Sequence, residues 1–244
     1  MVVGCTDSPT EISKSRNLEK PITPKPKTVK KMKIGILVAM DKEYEQLRHL
    51  DNENIIVCKT GIGKVNAAVN TTQLILSHHP DVIISSGCCG GASTDLNVLD
   101  VIVGNRAVHH DAYCGLEADE YGKIQGMPKY YIAPQHLIDI ATSLEYDHKI
   151  HSGLIVSGDW FVDKVEKVDE ILAHFPDAIG IDMESAAIAQ TCYIFNTPFI
   201  SFRVVSDVPA KPNNVADYKN FWNTVSSSSF AITKQFVDRI LQLS

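Results

Sequence analysis

Ala178-Ile179-Gly180-Ile181-Asp182-Met183-Glu184-Ser185-Ala186-Ala187 places two carboxylates between an apolar run and a run of small helix formers. That order reads as a buried strand running straight into a helix. In open α/β sheets, ligands sit in the crevice at the carboxyl ends of the strands. Met183 and Glu184 are expected at such an end, beside the helix N-terminus. A plainer explanation is that Asp182 and Glu184 only complement the helix dipole in the first turn. The rest of the chain favours a site, because two more strand ends carry matching chemistry.

Outward from this stretch, the chain alternates between short apolar runs and helical patterns. Strands are expected at Lys33–Met40, Ile55–Cys58, Pro80–Ser86, Asp100–Val103 with Ala107-Val108, Gly153–Gly158 and Pro198–Val205. Helices are expected at Asp41–Leu47, from Val65 through Ile75, at Pro134–Leu144, at Val165–Phe175, after Ser185 to about Ile194, and from about Tyr218 to Leu243. The alternation predicts a three-layer αβα domain over residues 32–244, with a central, mostly parallel, mixed sheet.

Residues 1–31 differ. Ser, Thr, Pro and Lys dominate, as in Pro21-Ile22-Thr23-Pro24-Lys25-Pro26-Lys27, and the segment is expected to be a disordered leader. It carries a net charge of +4, which leaves the remainder of this −6 chain at −10. Val2-Val3-Gly4-Cys5 is similar to the end of a lipoprotein signal, but only Met1 stands where a charged start and an apolar stretch are needed. An arbitrary flexible leader is the expectation.

An acidic chain gives no electrostatic footprint for nucleic acid. With 44% hydrophobic residues it can bury a substantial core, and no apolar run approaches the roughly 20 residues of a membrane span. The six cysteines show no C-x-x-C spacing, so reduced thiols in a cytoplasmic protein are expected. The nine histidines include His78-His79 and His109-His110 but no ligand spacing, so no metal is expected. Thr60-Gly61-Ile62-Gly63-Lys64 superficially suggests a phosphate loop. Cys58 and Val65 occupy the outer positions, so a tight strand-to-helix turn explains it better. The polar, aperiodic segment from His109 to about Tyr131 is long for a connection, which points to function or assembly.

Three carboxylates stand just after strands: Glu43, Glu184 and Asp207. Gly87-Cys88-Cys89-Gly90-Gly91, read as a loop, follows a fourth strand and Phe161 a fifth. Parallel strands would bring these ends to one edge. The set suggests a small-molecule site with acid/base capability and a stacking aromatic. Arg203, inside an apolar strand, needs a carboxylate partner.

These residues resemble the 5′-methylthioadenosine/S-adenosylhomocysteine nucleosidases, within the nucleoside phosphorylase superfamily. The resemblance runs from about Lys33 to the C-terminus. It rests on Ile34-Gly35-Ile36 with Ala39-Met40 and Glu43, on Thr60–Ala68, on Gly87–Gly91 and on His110-Asp111. It continues through Gly153–Asp159, Asp182-Met183-Glu184 and Arg203–Asp207. It implies a nucleoside phosphorylase-like fold, no cofactor, and a thioadenosine substrate whose N-glycosidic bond is hydrolysed. Glu43 is implied to be the base that holds the water, and Asp207 the acid at adenine N7. Glu184 is implied to bind the ribose hydroxyls, with Met40 and Met183 lining the sugar. Phe161 would stack on adenine, the Val162 backbone would read its edge, and Cys89 and Gly90 would form the wall. Ser206 and Arg203 would orient the carboxylates, with Arg203 serving one other than Asp207 or acting through Ser206. The resemblance also implies a homodimer, with part of His109–Tyr131 crossing the interface. The chain departs from the family at Cys88, where serine is usual, in a shorter Leu50–Ile55 segment, and at Cys114, Glu117 and Gln125. A phosphorylase and a futalosine-type hydrolase remain as alternative readings. An acid at N7 must carry its proton near neutral pH, so burial is expected to raise the Asp207 pKa.

Overall fold

Runs of apolar residues buried on both faces form the strands, as parallel sheets covered by helices require. The computed structural model describes residues 31–115, 120–212, 214–224 and 230–243. The leader expected over residues 1–31 therefore lies outside the described residues, except for Lys31. The strands are β1 (Ile34–Val38), β2 (Ile55–Lys59), β3 (Val82–Gly91), β4 (Val101–His109), β5 (Tyr131–Ile132), β6 (Ile150–Ser157), β7 (Ala178–Asp182) and β8 (Phe199–Asp207). The helices are α1 (Asp41–Leu47), α2 (Lys64–His78), α3 (Gln135–Thr142), α4 (Val165–His174), α5 (Ser185–Ile194), α6 (Asn214–Thr224) and α7 (Ala231–Gln242). Among the described residues no helix is long and apolar enough to cross a membrane.

One eight-stranded mixed sheet carries the fold. β2, β1, β3 and β8 run parallel to one another, and β4, β6 and β7 form a second parallel set. The two sets oppose each other where β4 meets β8 and where β3 meets β7. These pairings close β3, β8, β4, β6 and β7 into a ring. Cys89, Val205, Ile102, Ile155 and Ile179, one residue from each of these strands, pack in a shared cluster. α2 and α5 bury Ala67, Leu74, Ala186 and Cys192 with Leu37 and Ile83. In a separate cluster, α3 and α7 bury Leu137, Phe236 and Ile240 with Ile36, Val103 and Phe202. This is the expected three-layer arrangement.

Three expectations need correction. The strand ends do not all come from parallel neighbours. β3 and β7 meet antiparallel through their last residues, with Gly90 opposite Ile181 and Gly91 opposite Gly180. The carboxyl ends of the two opposed sets thus converge tip to tip. Gly87–Gly91 is not a loop after the strand but the second half of β3, paired along β8. Pairing with β8 from Gly87 to Gly90, and with β7 at Gly90 and Gly91, holds a glycine-rich segment in the sheet despite its low strand propensity. The C-terminal helix is two helices, α6 and α7. Phe230, the N-cap of α7, stands outside the helix, and residues 225–229 before it lie outside the described residues.

Candidate active site

The turn from β1 into α1 places Glu43 at the third position of the helix. From there its carboxylate reaches back to the backbone amides just before the helix. Ala39 N–H and Met40 N–H donate to Oε2 at 2.8 and 3.0 Å, and Cys88 N–H of β3 donates to Oε1 at 2.9 Å. Gly87, at φ +122°, makes room for this carboxylate: a Cβ there would lie 2.6 Å from the Glu43 carboxyl carbon. Burial, then the neighbouring Glu43 carboxylate, pushes the pKa of the Cys88 thiol well up. A thiol therefore occupies the place beside Glu43 where the sequence departs from the usual serine.

At the end of β8, the pairing register slips. Cys89 faces Val205 but Gly90 faces Asp207, which leaves Ser206 as an extra residue. Neighbours in a regular strand point to opposite faces, and a bulge lifts that rule. Ser206 and Asp207 accordingly line one pocket. The Ser206 hydroxyl bonds the Asp207 carboxylate at 2.7 Å and the Cys89 carbonyl at 3.2 Å. Asp207 is only 8% exposed. Burial pushes its carboxyl up to about 6; the Ser206 hydroxyl opposes the rise and the Asp217 charge adds to it.

At the end of β7, Asp182 and Glu184 divide two tasks. Asp182 accepts from the Ser157 and Ser185 hydroxyls and from the Glu184 and Ser185 amides, at 3.3 and 3.1 Å for the amides. The plainer reading of the opening stretch covers only part of what Asp182 does: its carboxylate serves the first turn of α5, but Asp182 also lines the pocket and pairs with Arg203. Glu184 lines the pocket beside Asp182. Gly63 N–H, at the start of α2, donates to its Oε1 at 3.0 Å. Burial lifts the Glu184 carboxyl to about 7, with Arg203 opposing and Asp182 assisting the rise.

Arg203 is 1% exposed. Its Nη2 lies 3.0 Å from Asp182 and 3.7 Å from Glu184. It also donates to Ser85 Oγ at 2.7 Å, and Nη1 donates to the Cys88 carbonyl at 3.2 Å. Burial alone would lower its pKa, but Asp182, Glu184 and Glu43 hold it above the ordinary value. As expected, its partners are carboxylates other than Asp207.

All eleven residues singled out from the sequence line one pocket. Met40, Met183, Cys89 and Gly90 lie on its walls, and Val162 is buried beside the 61%-exposed Phe161. Phe161 meets Tyr218 of α6 edge to face, with ring centroids 5.5 Å apart. The arrangement offers two carboxyls in different settings, one held by three amides and one protonating readily. Between them lies an apolar slot with an aromatic at its mouth. It suits a planar base joined to a hydroxylated sugar.

Comparison with known proteins agrees with this chemistry. Residues 33–238 match the phosphorylase superfamily. The 5′-methylthioadenosine/S-adenosylhomocysteine nucleosidase of Anoxybacillus flavithermus is 36% identical over 231 residues, 86% of this chain and 99% of its own. The chain belongs to this nucleosidase family. The Neisseria meningitidis family member, solved in complex with methylthio-immucillin-A, superposes with a TM-score of 0.77 at 31% identity, over 87% of this chain and 99% of its own. The native futalosine hydrolase of Helicobacter pylori gives a TM-score of 0.76 at 27% identity, over 85% of this chain and 97% of its own.

Sequence reasoning about this nucleosidase missed several pocket residues. Tyr218 fell inside an expected helix and gave no signal. Trp160 and Ile181 line the pocket close in sequence to residues already chosen, and Ile62 lines it from the turn before α2. Gly87 and Gly63 act through shape and a backbone amide, which residue type alone does not disclose.

Proposed function

We propose that the chain hydrolyses the N-glycosidic bond of 5′-methylthioadenosine and S-adenosylhomocysteine, releasing adenine and the 5-thioribose. The observation that carries this reading is the pairing of Glu43 and Asp207 in one pocket of a chain belonging to this family. Glu43 takes a proton from the attacking water, whose oxygen bonds to the anomeric carbon. The electrons of the C–N bond leave with adenine, and Asp207 supplies the proton to N7. Charge of opposite sign develops on sugar and base, and fixed groups aimed at each lower the barrier. Glu184 accepts from the ribose hydroxyls, with Met40 and Met183 against the sugar. Phe161 stacks on the base, the Val162 backbone reads its edge, and Cys89 and Gly90 close the wall. Ser206 orients Asp207, and Arg203 keeps Glu184 placed.

Adenine release is expected at full rate in phosphate-free buffer, because a phosphate entering the water position would meet the Glu43 carboxylate. Incubation with methylthioadenosine, S-adenosylhomocysteine, adenosine, inosine and futalosine, with and without phosphate, tests this by release of free base. Turnover that requires phosphate and yields ribose 1-phosphates would instead make the chain a phosphorylase. The likeness to a futalosine hydrolase keeps that tail as a second reading, and the futalosine arm decides it.

The reading includes a homodimer, with part of His109–Tyr131 in the interface. In support, Val65, Val69 and Leu76 form an exposed apolar stripe on α2, Val65 at 74% exposure. Ile62, also exposed, leads from that stripe to the pocket. Tyr113 and Tyr121 are exposed apolar rings within the expected interface segment. Sedimentation should give a dimer at assay concentrations; a fully active monomer would contradict the assignment. A cytoplasmic location is part of the same reading, supported by the free thiols of Cys58, Cys88, Cys89, Cys114 and Cys192.

A further inference from the structure

Three segments distant in sequence are tied together outside the pocket. Lys64, the first residue of α2, donates its backbone N–H to Asp159 Oδ1 at 2.8 Å. Its ammonium sits 2.6 Å from Asp111 Oδ1. Asp111 Oδ2 in turn accepts the Asp159 backbone N–H at 2.9 Å. Lys64 and Asp111 are half-buried, with side-chain exposures of 26% and 11%. Such a pair is worth more than an exposed one, and neither partner is readily spared. None of the three lines the pocket, yet each adjoins something that does. Gly63, preceding Lys64, gives its amide to Glu184. Asp159 precedes the pocket residues Trp160, Phe161 and Val162.

We propose that Lys64, Asp111 and Asp159 form a clamp of positioning residues that fixes the Gly63 amide on Glu184 and holds the Trp160–Val162 wall in register with it. The clamp couples the sugar side of the site to the base side. Gly63 is at φ +93°, a conformation with intrinsic freedom for glycine, so something outside the residue must hold its amide in place. The Lys64 backbone and ammonium are both anchored, and they do so. This proposal rests on the nucleosidase reading for its kinetic arm only.

The test compares wild type, Lys64→Met and Lys64→Arg. Lys64→Met removes the charge at nearly constant shape, and Lys64→Arg keeps it. Exchange of the Gly63 amide, followed by NMR, should quicken about 10-fold or more in Lys64→Met, while amides of β1 stay unchanged. KM for methylthioadenosine should rise about 10-fold, with kcat changed much less, because displacing a binding group by a fraction of an ångström is expensive. The Gly63 hydrogen bond favours ionised Glu184 against burial and the nearby Asp182 and Glu43, alongside Arg203. Its loss should move the acid limb of kcat/KM to higher pH by about half a unit. Lys64→Arg should restore all three. Unchanged Gly63 exchange and an unchanged acid limb in Lys64→Met would overturn the clamp, whatever happens to Tm. If wild type releases no adenine, the proposed function fails, and amide exchange alone decides the clamp.

Discussion

Asp207→Asn is expected to lower kcat by about 10²-fold or more, within the usual range for one general acid, with KM little changed. Asparagine keeps the shape and can still accept from the Ser206 hydroxyl, but it has no carboxylic proton to give. The acid's supply of protons has a structural origin. The β8 bulge turns Asp207 into an apolar pocket, and burial lifts its carboxyl from 3.8 to about 6 before any base is bound. A purine above it would remove more water and lift it further. The same shift predicts a stability effect of opposite sense. Between pH 4 and 6 the unfolded chain gives up this proton while the folded chain keeps it, so the wild type loses stability as pH rises through that window. The displacement corresponds to roughly 3 kcal/mol once the folded group is ionised, at 1.36 kcal/mol per unit. Asp207→Asn should therefore melt above wild type at pH 7.5 and level with it near pH 4. Adenine release at near wild-type rate would show that another group is the acid. A Tm gain equal at both pH values would show that Asp207 is not strained by burial.

Gly87→Ala is expected to be as damaging as loss of the base itself, although residue 87 carries no chemistry. A methyl group there would stand 2.6 Å from the Glu43 carboxyl carbon, and the residue's φ of +122° is one that alanine resists. The carboxylate must leave its three amides, or β3 must move and carry the Cys88 amide with it. Either response misplaces the attacking water. A kcat loss of about 10²-fold or more should match that of Glu43→Gln. The double variant should be little worse than either single one, because both remove the same function. Gly87→Ala should also lower Tm, since a positive φ costs a non-glycine residue of order 1–3 kcal/mol. Near wild-type turnover in Gly87→Ala would mean that Glu43 does not hold the water. Additive losses in the double variant would mean that the two positions act separately.

Much of this molecule can be read from the chain one stretch at a time. Buried strands declare themselves as apolar runs, and Ala178–Asp182 followed by Ser185–Ile194 is a strand and a helix where the residue pattern puts them. The carboxylates Glu43, Glu184 and Asp207 stand out because each follows an apolar run, and a charge there has to be exposed, paired or at work. Even the sense of the Asp207 shift follows from its place at the end of such a run.

The tertiary structure alone decided the rest. Gly87–Gly91 looks like a turn by composition and is a strand because β8 and β7 pair with it from distant parts of the chain. Which carboxylate would claim Arg203 was open in the sequence. Closure of the ring brought β7 beside β3, and so gave the arginine to Asp182 and Glu184. The amide on Glu184 comes from Gly63, 121 positions earlier. Local pattern fixes what a segment becomes, because propensity and periodicity act over a few residues. Hydrogen bonds between segments depend on how the sheet closes, which is a property of the whole chain.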